Sequence, residues 1–147
     1  MSKLTHSRPK ENFEPTLFVD GKGAVLGRLA SYTAKQVLLG KVVAILNCNE
    51  VIVTGRRNSV IQHYKEARAR GGPSITGPHF PKTPEKLVKR TIRGMLSHHQ
   101  GRGRFAHKRV RCFNAVPNEY ANAKTIALPT REISIETMTL KEIGSLL

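Results

Sequence analysis

The order of apolar and polar positions predicts a defined series of elements. Thr16-Leu17-Phe18-Val19-Asp20 is a short apolar run ending on an acid, as in a strand, and Gly21-Lys22-Gly23 then turns the chain. From Ala24 to Leu39 the apolar residues Val25, Leu26, Leu29, Ala30, Val37 and Leu38 keep helical spacing, and Gly40 is placed to close that helix. Val42 to Leu46 has no polar interruption, which predicts a strand covered on both faces, as in a parallel sheet. Strand, helix and strand within roughly 30 residues make a βαβ unit, whose crossover is expected to be right-handed. After the polar turn Asn47–Glu50, Val51-Ile52-Val53 predicts a further short strand, ended by Thr54-Gly55.

Beyond Gly55 the pattern becomes helix and loop. Asn58 is placed to cap a helix over Ser59 to Arg70, with Val60, Ile61 and Tyr64 on its apolar side. Gly71 to Pro84 carries four prolines and three glycines and predicts a loop too long for a plain connection. A second helix is expected from a Thr83 cap, with Pro84 at its first position, to about Ser97. Leu87, Val88, Ile92, Met95 and Leu96 form its apolar side, and Lys86, Lys89, Arg90 and Arg93 take the remaining arc. Gln100-Gly101-Arg102-Gly103-Arg104 suggests a flexible basic linker, followed by a short helical stretch over Arg104 to Arg109 and a strand over Val110 to Asn114. Further on, Ile126–Leu128 is a small strand or packing segment, and Leu140–Leu147 a short terminal helix. No repeat recurs at 20–50 residues.

Composition adds bounds. The 147 residues suit one domain, and 39% apolar content suffices for a modest core. No apolar run is long enough to span a membrane, and the polar first 15 residues do not form a secretory signal. Cys48 and Cys112 are too far apart for a CxxC site and make no disulfide framework; both are expected as buried free thiols in a reducing cytoplasm. The charge changes the picture most. The chain carries a net +15, of which residues 56–111 hold +13, residues 1–55 hold +3 and residues 112–147 hold −1. So one-sided a segment is the electrostatic footprint of a polyanion binder rather than an ordinary mixed surface.

Other chemistries fit less well. Gly21-x-Gly23-x-x-x-Gly27 lies between strand and helix, but its last spacing is one residue too long for a dinucleotide site, and no acid follows at the right distance. A tight turn, with Gly27 at a close helix–sheet contact, is the expected meaning, and a nucleotide-dependent enzyme on this turn is the alternative. His98 and His99 are adjacent, so on a helix they would point about 100° apart and make a poor metal site. Glu66 and Glu85 are the acids of the basic segment, too few to orient a catalytic imidazole or cluster metal ions. No catalytic residue, metal, cofactor, membrane or small-molecule substrate is therefore expected. The charge cluster supplies Arg56, Arg57, Lys89, Lys108 and Arg109 as candidate phosphate contacts, alongside the arginines named below. The scarcity of aromatics (5%) disfavours a stacking platform for single strands and favours recognition of folded RNA by shape. A free-standing duplex nucleic-acid binder is a further alternative.

Arg90-Thr91-Ile92-Arg93-Gly94-Met95-Leu96-Ser97 strongly resembles the signature of the large-subunit ribosomal protein thirteen family. The Gly101-Arg102-Gly103-Arg104 spacer and the Val110–Phe113 strand continue the match. Asp20-Gly21-x-Gly23, Leu26-Gly27-Arg28-Leu29-Ala30, Val51-x-Val53-Thr54-Gly55 and Gly77-Pro78-His79-Phe80 are similar to the family elsewhere, so the resemblance covers about Phe18 to Val116. The chain departs from the family's usual residues at Ser97, Cys112 and Ala115. The loop and tail look like the archaeal and eukaryotic branch.

The resemblance implies a single α/β/α domain with a four-stranded, mainly parallel sheet, in a non-catalytic cytoplasmic protein of the large subunit. It implies rRNA and neighbouring ribosomal proteins as partners, with Arg28, Arg90, Arg93, Gly94, Arg102, Gly103 and Arg104 facing the RNA. On this reading residues 1–15 are an extension, 16–117 the rRNA-binding domain, and 118–147 a tail packing on the body or a neighbour.

Overall fold

The computed structural model describes residues 13–70, 77–129 and 133–147. The expected N-terminal extension and the loop at 71–84 lie partly outside these residues. The first strand, β1 (Leu17–Asp20), leads through a turn into helix α1 (Leu26–Leu38) and returns as β2 (Val43–Leu46). β1 and β2 pair in parallel, with Leu17 opposite Val43 and Asp20 opposite Leu46, which completes the expected βαβ unit. Gly40 stands just past α1 at φ +95°, a left-handed conformation that favours glycine.

A 3-10 turn (Cys48–Glu50) then leads to β3 (Ile52–Thr54). This strand stays outside the main sheet. Both edges of β2 are occupied, by β1 and by the later β4, and the short turn cannot make the long crossover that a parallel neighbour needs. β3 instead pairs antiparallel with a strand near the C-terminus.

Helices α2 (Arg57–Ala69), α3 (Pro84–Met95) and α4 (Gly101–Lys108) form the basic segment, and β4 (Val110–Cys112) follows. Four local expectations are corrected. α2 starts at Arg57 with Arg56 at its cap position, so Asn58 lies inside the first turn. Thr83 holds the cap position of α3, but its side chain makes no cap bond; Asn114, beyond β4, accepts from the Glu85 amide at 3.1 Å instead. α3 stops at Met95, two residues short of Ser97. Residues 101–104 are the first turn of α4 rather than a linker, because Gly103 is buried where any side chain would collide with the Ser97 carbonyl. Tertiary packing here overrides the low helix propensity of glycine.

After a 3-10 turn (Asn118–Tyr120), β5 (Thr125–Ala127) adds to the far edge of β1, also in parallel. The main sheet is thus four parallel strands in the order β4-β2-β1-β5. β6 (Thr137–Thr139) pairs with β3, and α5 (Leu140–Leu146) ends the chain. Thr139 caps α5 through a reciprocal box with Glu142, each side chain meeting the other's amide at 3.3 Å.

Strand alternation gives the main sheet two unlike faces. Leu17, Val43 and Val110 share one face with Val19, Ile45 and Cys112. Against it pack Leu29, Ala30 and Val37 of α1, Leu87, Val88 and Ile92 of α3, and Met138, Leu140 and Ile143 from the C-terminal segment. The other face carries Phe18, Ala44 and Arg111. There Tyr120 meets Phe18 and Phe113 at ring distances of 5.1 and 5.7 Å, and the Arg111 guanidinium lies 4.4 Å over Phe13.

The glycine turn after β1 is a packing device. A side chain on Gly21 would meet the Val51 side chain at 2.8 Å and the Leu46 carbonyl at 2.9 Å. Asp20 secures the turn through the Lys22 amide and the Asn47 side chain, both at 3.0 Å. The expected close contact at Gly27 is corrected: that residue is exposed, with open space beside it, and Gly21 makes the tight approach. Cys48 is fully buried, but Cys112 is only half-buried. The two thiols are reduced and face each other; a hydrogen bond to Cys48, aided by burial, pushes the Cys112 thiol pKa well up.

Candidate nucleic-acid interface

The basic residues divide by the element that carries them. Lys89, Arg90 and Arg93 lie on α3 with Lys86, opposite the three buried apolar positions of the same helix. This division follows from the 3.6-residue period: burying Leu87, Val88 and Ile92 turns the intervening cations outward. α4 packs beside α1 and carries Arg102, Arg104 and Lys108, all exposed, while the buried Gly103 anchors its first turn. Arg28 is exposed in the first turn of α1, beside the open Gly27.

The remaining predicted residues are placed differently. Arg56 and Arg57 open α2 and line a separate hollow with Glu136, whose carboxylate accepts from the Arg57 amide at 3.3 Å. Arg109 reaches the Val37 carbonyl at 3.3 Å, so its charge sits at the C-terminal end of α1, where it opposes the helix dipole. Gly103 is buried and structural, whereas Gly94 is exposed with nothing within 4 Å of where a side chain would start. A glycine inside a helix costs about 1 kcal/mol relative to alanine. Among the described residues, Gly94 has no packing partner to offset that cost.

Lys89, Arg90 and Arg93 meet across a cavity of about 360 Å³, together with His79, Phe80, Pro81, Lys86 and His107. Among the described residues, no carboxylate lines it. The Arg90 guanidinium lies 3.6 Å from the Phe80 ring centroid, and its Nε donates to the His79 carbonyl at 3.3 Å. Tyr64 meets the Phe80 ring edge-on at 6.4 Å. Burial pushes the Tyr64 phenol pKa upward, against the opposing pull of the Arg90 charge.

His107 approaches the cavity from α4. Burial lowers its imidazole pKa first, and the charge of Lys89 lowers it further; a backbone hydrogen bond at Lys89 works the other way, and Arg93 and His98 add smaller downward pulls. Its Nε2 is buried and has no hydrogen-bond partner of good geometry among the described residues. His98 and His99 stand in the turn between α3 and α4 rather than on a helix, and their rings lie close, 4.1 Å apart and tilted by 39°.

Among the described residues, the ion pair found is Lys22–Glu50 at 4.0 Å, away from α3 and α4. No group of three His, Cys, Asp or Glu side chains comes together among them, and none of their helices is long and apolar enough to cross a membrane. Phe80 and His107 did not stand out in the sequence as members of one site. The available signal was the His79-Phe80-Pro81 run just before a basic helix.

The model of the family described as Ribosomal protein L13 matches residues 14–119. The large ribosomal subunit protein uL13 of Methanosarcina barkeri is 39% identical over 118 residues, which cover 80% of this chain and 84% of that protein. Its counterpart in Archaeoglobus fulgidus is 43% identical over 101 residues, covering 69% and 64%. That of Methanopyrus kandleri is 38% identical over 117 residues, covering 80% and 72%. An α/β domain with a parallel sheet, a match spanning the signature helix and archaeal relatives over most of its length show that the chain belongs to the ribosomal protein L13 family, a structural and non-enzymatic family of ribosomal proteins.

Proposed function

We propose that the chain binds rRNA in the cytoplasmic large ribosomal subunit and holds converging RNA segments through the cations of α3 and α4. The observation that carries this reading is the outward face of α3. Lys86, Lys89, Arg90 and Arg93 stand together there with no ion-pair partner among the described residues. Desolvating such a face against another protein surface without acids would be costly, whereas phosphates supply the counter-charge and release bound cations. Gly94, exposed at the end of that face, lets a sugar-phosphate backbone approach the helix closely.

Arg28, Arg102, Arg104 and Lys108 extend the same surface from α1 and α4. Arg56 and Arg57 form a second contact region at the start of α2, and Arg109 adds charge next to its helix-end bond. Neighbouring ribosomal proteins are the fitting partners for exposed apolar residues of the C-terminal part, such as Ile135.

The test is sedimentation of the tagged chain from lysate. It is expected to travel with large subunits at low salt and to leave them only at high salt. A wholly free pool at low salt would reject the reading. Lys89→Glu with Arg93→Glu should abolish cosedimentation while leaving the circular dichroism spectrum intact. Retention of that double variant on the subunit would show that α3 does not face RNA.

A further inference from the structure

The cavity between residues 79–81, α3 and α4 differs from a plain phosphate-binding surface. We propose that it receives one unstacked nucleobase of rRNA, stacked on the outer side of the Phe80–Arg90 pair, with the flanking phosphates on Lys86, Lys89 and Arg93. This inference rests on the rRNA-binding reading above and specifies the RNA element that the site takes.

The cavity's size comes first. At about 360 Å³ it falls within the range of small-ligand sites, roughly 300–1,000 Å³.

The second argument is the way Arg90 is held. Here one face of the guanidinium lies on Phe80 and its Nε is tied to the His79 carbonyl, so the plane is set before any ligand arrives. A fixed guanidinium plane is a stacking surface for a base, and its ordering cost is already met by the fold.

The third is His107. Burial and the nearby cations lower its imidazole pKa, which favours the neutral ring with one donor and one acceptor nitrogen. Its Nε2 is covered by its neighbours and has no hydrogen-bond partner of good geometry among the described residues, so a base edge reaches it once a side chain of the lining shifts aside. Phosphate oxygens only accept hydrogen bonds. A base edge offers both donors and acceptors, so it can serve either tautomer. The cationic rim, with no acid in the lining, matches the phosphates on either side of such a base. Among the described residues Phe80 is the one phenyl ring of the lining, beside the imidazoles of His79 and His107, which suits a single extruded base rather than a long run of stacked ones.

The experiment is short-wave ultraviolet crosslinking of the full chain to a large-subunit rRNA transcript, followed by mass spectrometry of the adducts. Nucleotide adducts are expected on His79, Phe80 or His107. Their absence, with adducts appearing only on other residues, would overturn the proposal. Phe80→Leu and His107→Ala should each weaken binding of the transcript about tenfold while leaving its salt dependence unchanged, because uncharged contacts are lost. Unchanged affinity, or a shallower salt slope, would also overturn it. If Phe80→Leu fails to fold, the adducts on the unmodified chain still decide. AMP, GMP, CMP and UMP provide a further arm. Micromolar binding of any one of them that the transcript cannot displace would mark a small-molecule site and reject an RNA base. A chain that binds no transcript at all would remove the rRNA-binding reading itself, a result distinct from binding without adducts in the pocket.

Discussion

Gly103 and Gly94 lie nine residues apart in the signature region and have opposite roles. A side chain on Gly103 would meet the Ser97 carbonyl, so Gly103→Ala should lower stability by about 1–3 kcal/mol. Gly94 has open space beside it, so Gly94→Ala should raise stability by roughly 0.4–1 kcal/mol. Urea denaturation of both variants measures the contrast, and equal effects would contradict the difference in packing. His107 gives a prediction in pH. Its folded pKa lies below the unfolded value of about 6.5, so the unfolded chain binds more protons in the interval between them. The stability associated with the neutral ring is therefore complete above about pH 6.5 and declines as the pH falls through the folded pKa. His107→Gln should flatten stability over that acidic window, as read from melting temperatures at a series of pH values.

At the scale of elements, the helices of the basic segment were predictable because they bury one face only. Leu87, Val88 and Ile92 recur at helical spacing, so the cations between them had to face outward. The boundaries were less accessible. The first turn of α3 takes its cap bond from Asn114, 29 residues further along, which no local pattern can announce. α4 has a glycine-rich start that local propensity assigns to a linker. The C-terminal elements also depend on distant contacts. Ile143 of α5 is fully buried in the same core as α1 and α3. Ile143→Ala should cost about 2–5 kcal/mol in chemical denaturation. A loss near zero would mean that α5 is an appendage rather than part of the core.

At the scale of the whole molecule, the +15 charge is concentrated rather than spread, and its ledger of contacts should show in ionic strength. Engaging about 6–10 phosphates gives a slope of log K against log salt near −5 to −9. Filter binding to an rRNA transcript measures it, and a slope near −2 would be too shallow for a surface built from three helices. Replacing Lys89 with Met should reduce the magnitude of the slope by about one, because a single phosphate contact is lost.

What the sequence determined by itself was local and periodic: the βαβ start, the one-sided helices, the placing of nearly all the excess charge in residues 56–111, and the Arg90–Ser97 signature. Each follows from spacing along one segment. The tertiary structure decided what depends on distance through space. It sent β3 to pair with β6, joined β5 to the edge of β1, and made Gly21 rather than Gly27 the tight contact. It also brought His79, Phe80, Arg90 and His107 around one cavity. These residues come from a loop and two helices, and only the packing of α3 and α4 onto the same sheet brings them within reach of one ligand. A sequence records its neighbours along the chain, while a binding site is a property of neighbours in space.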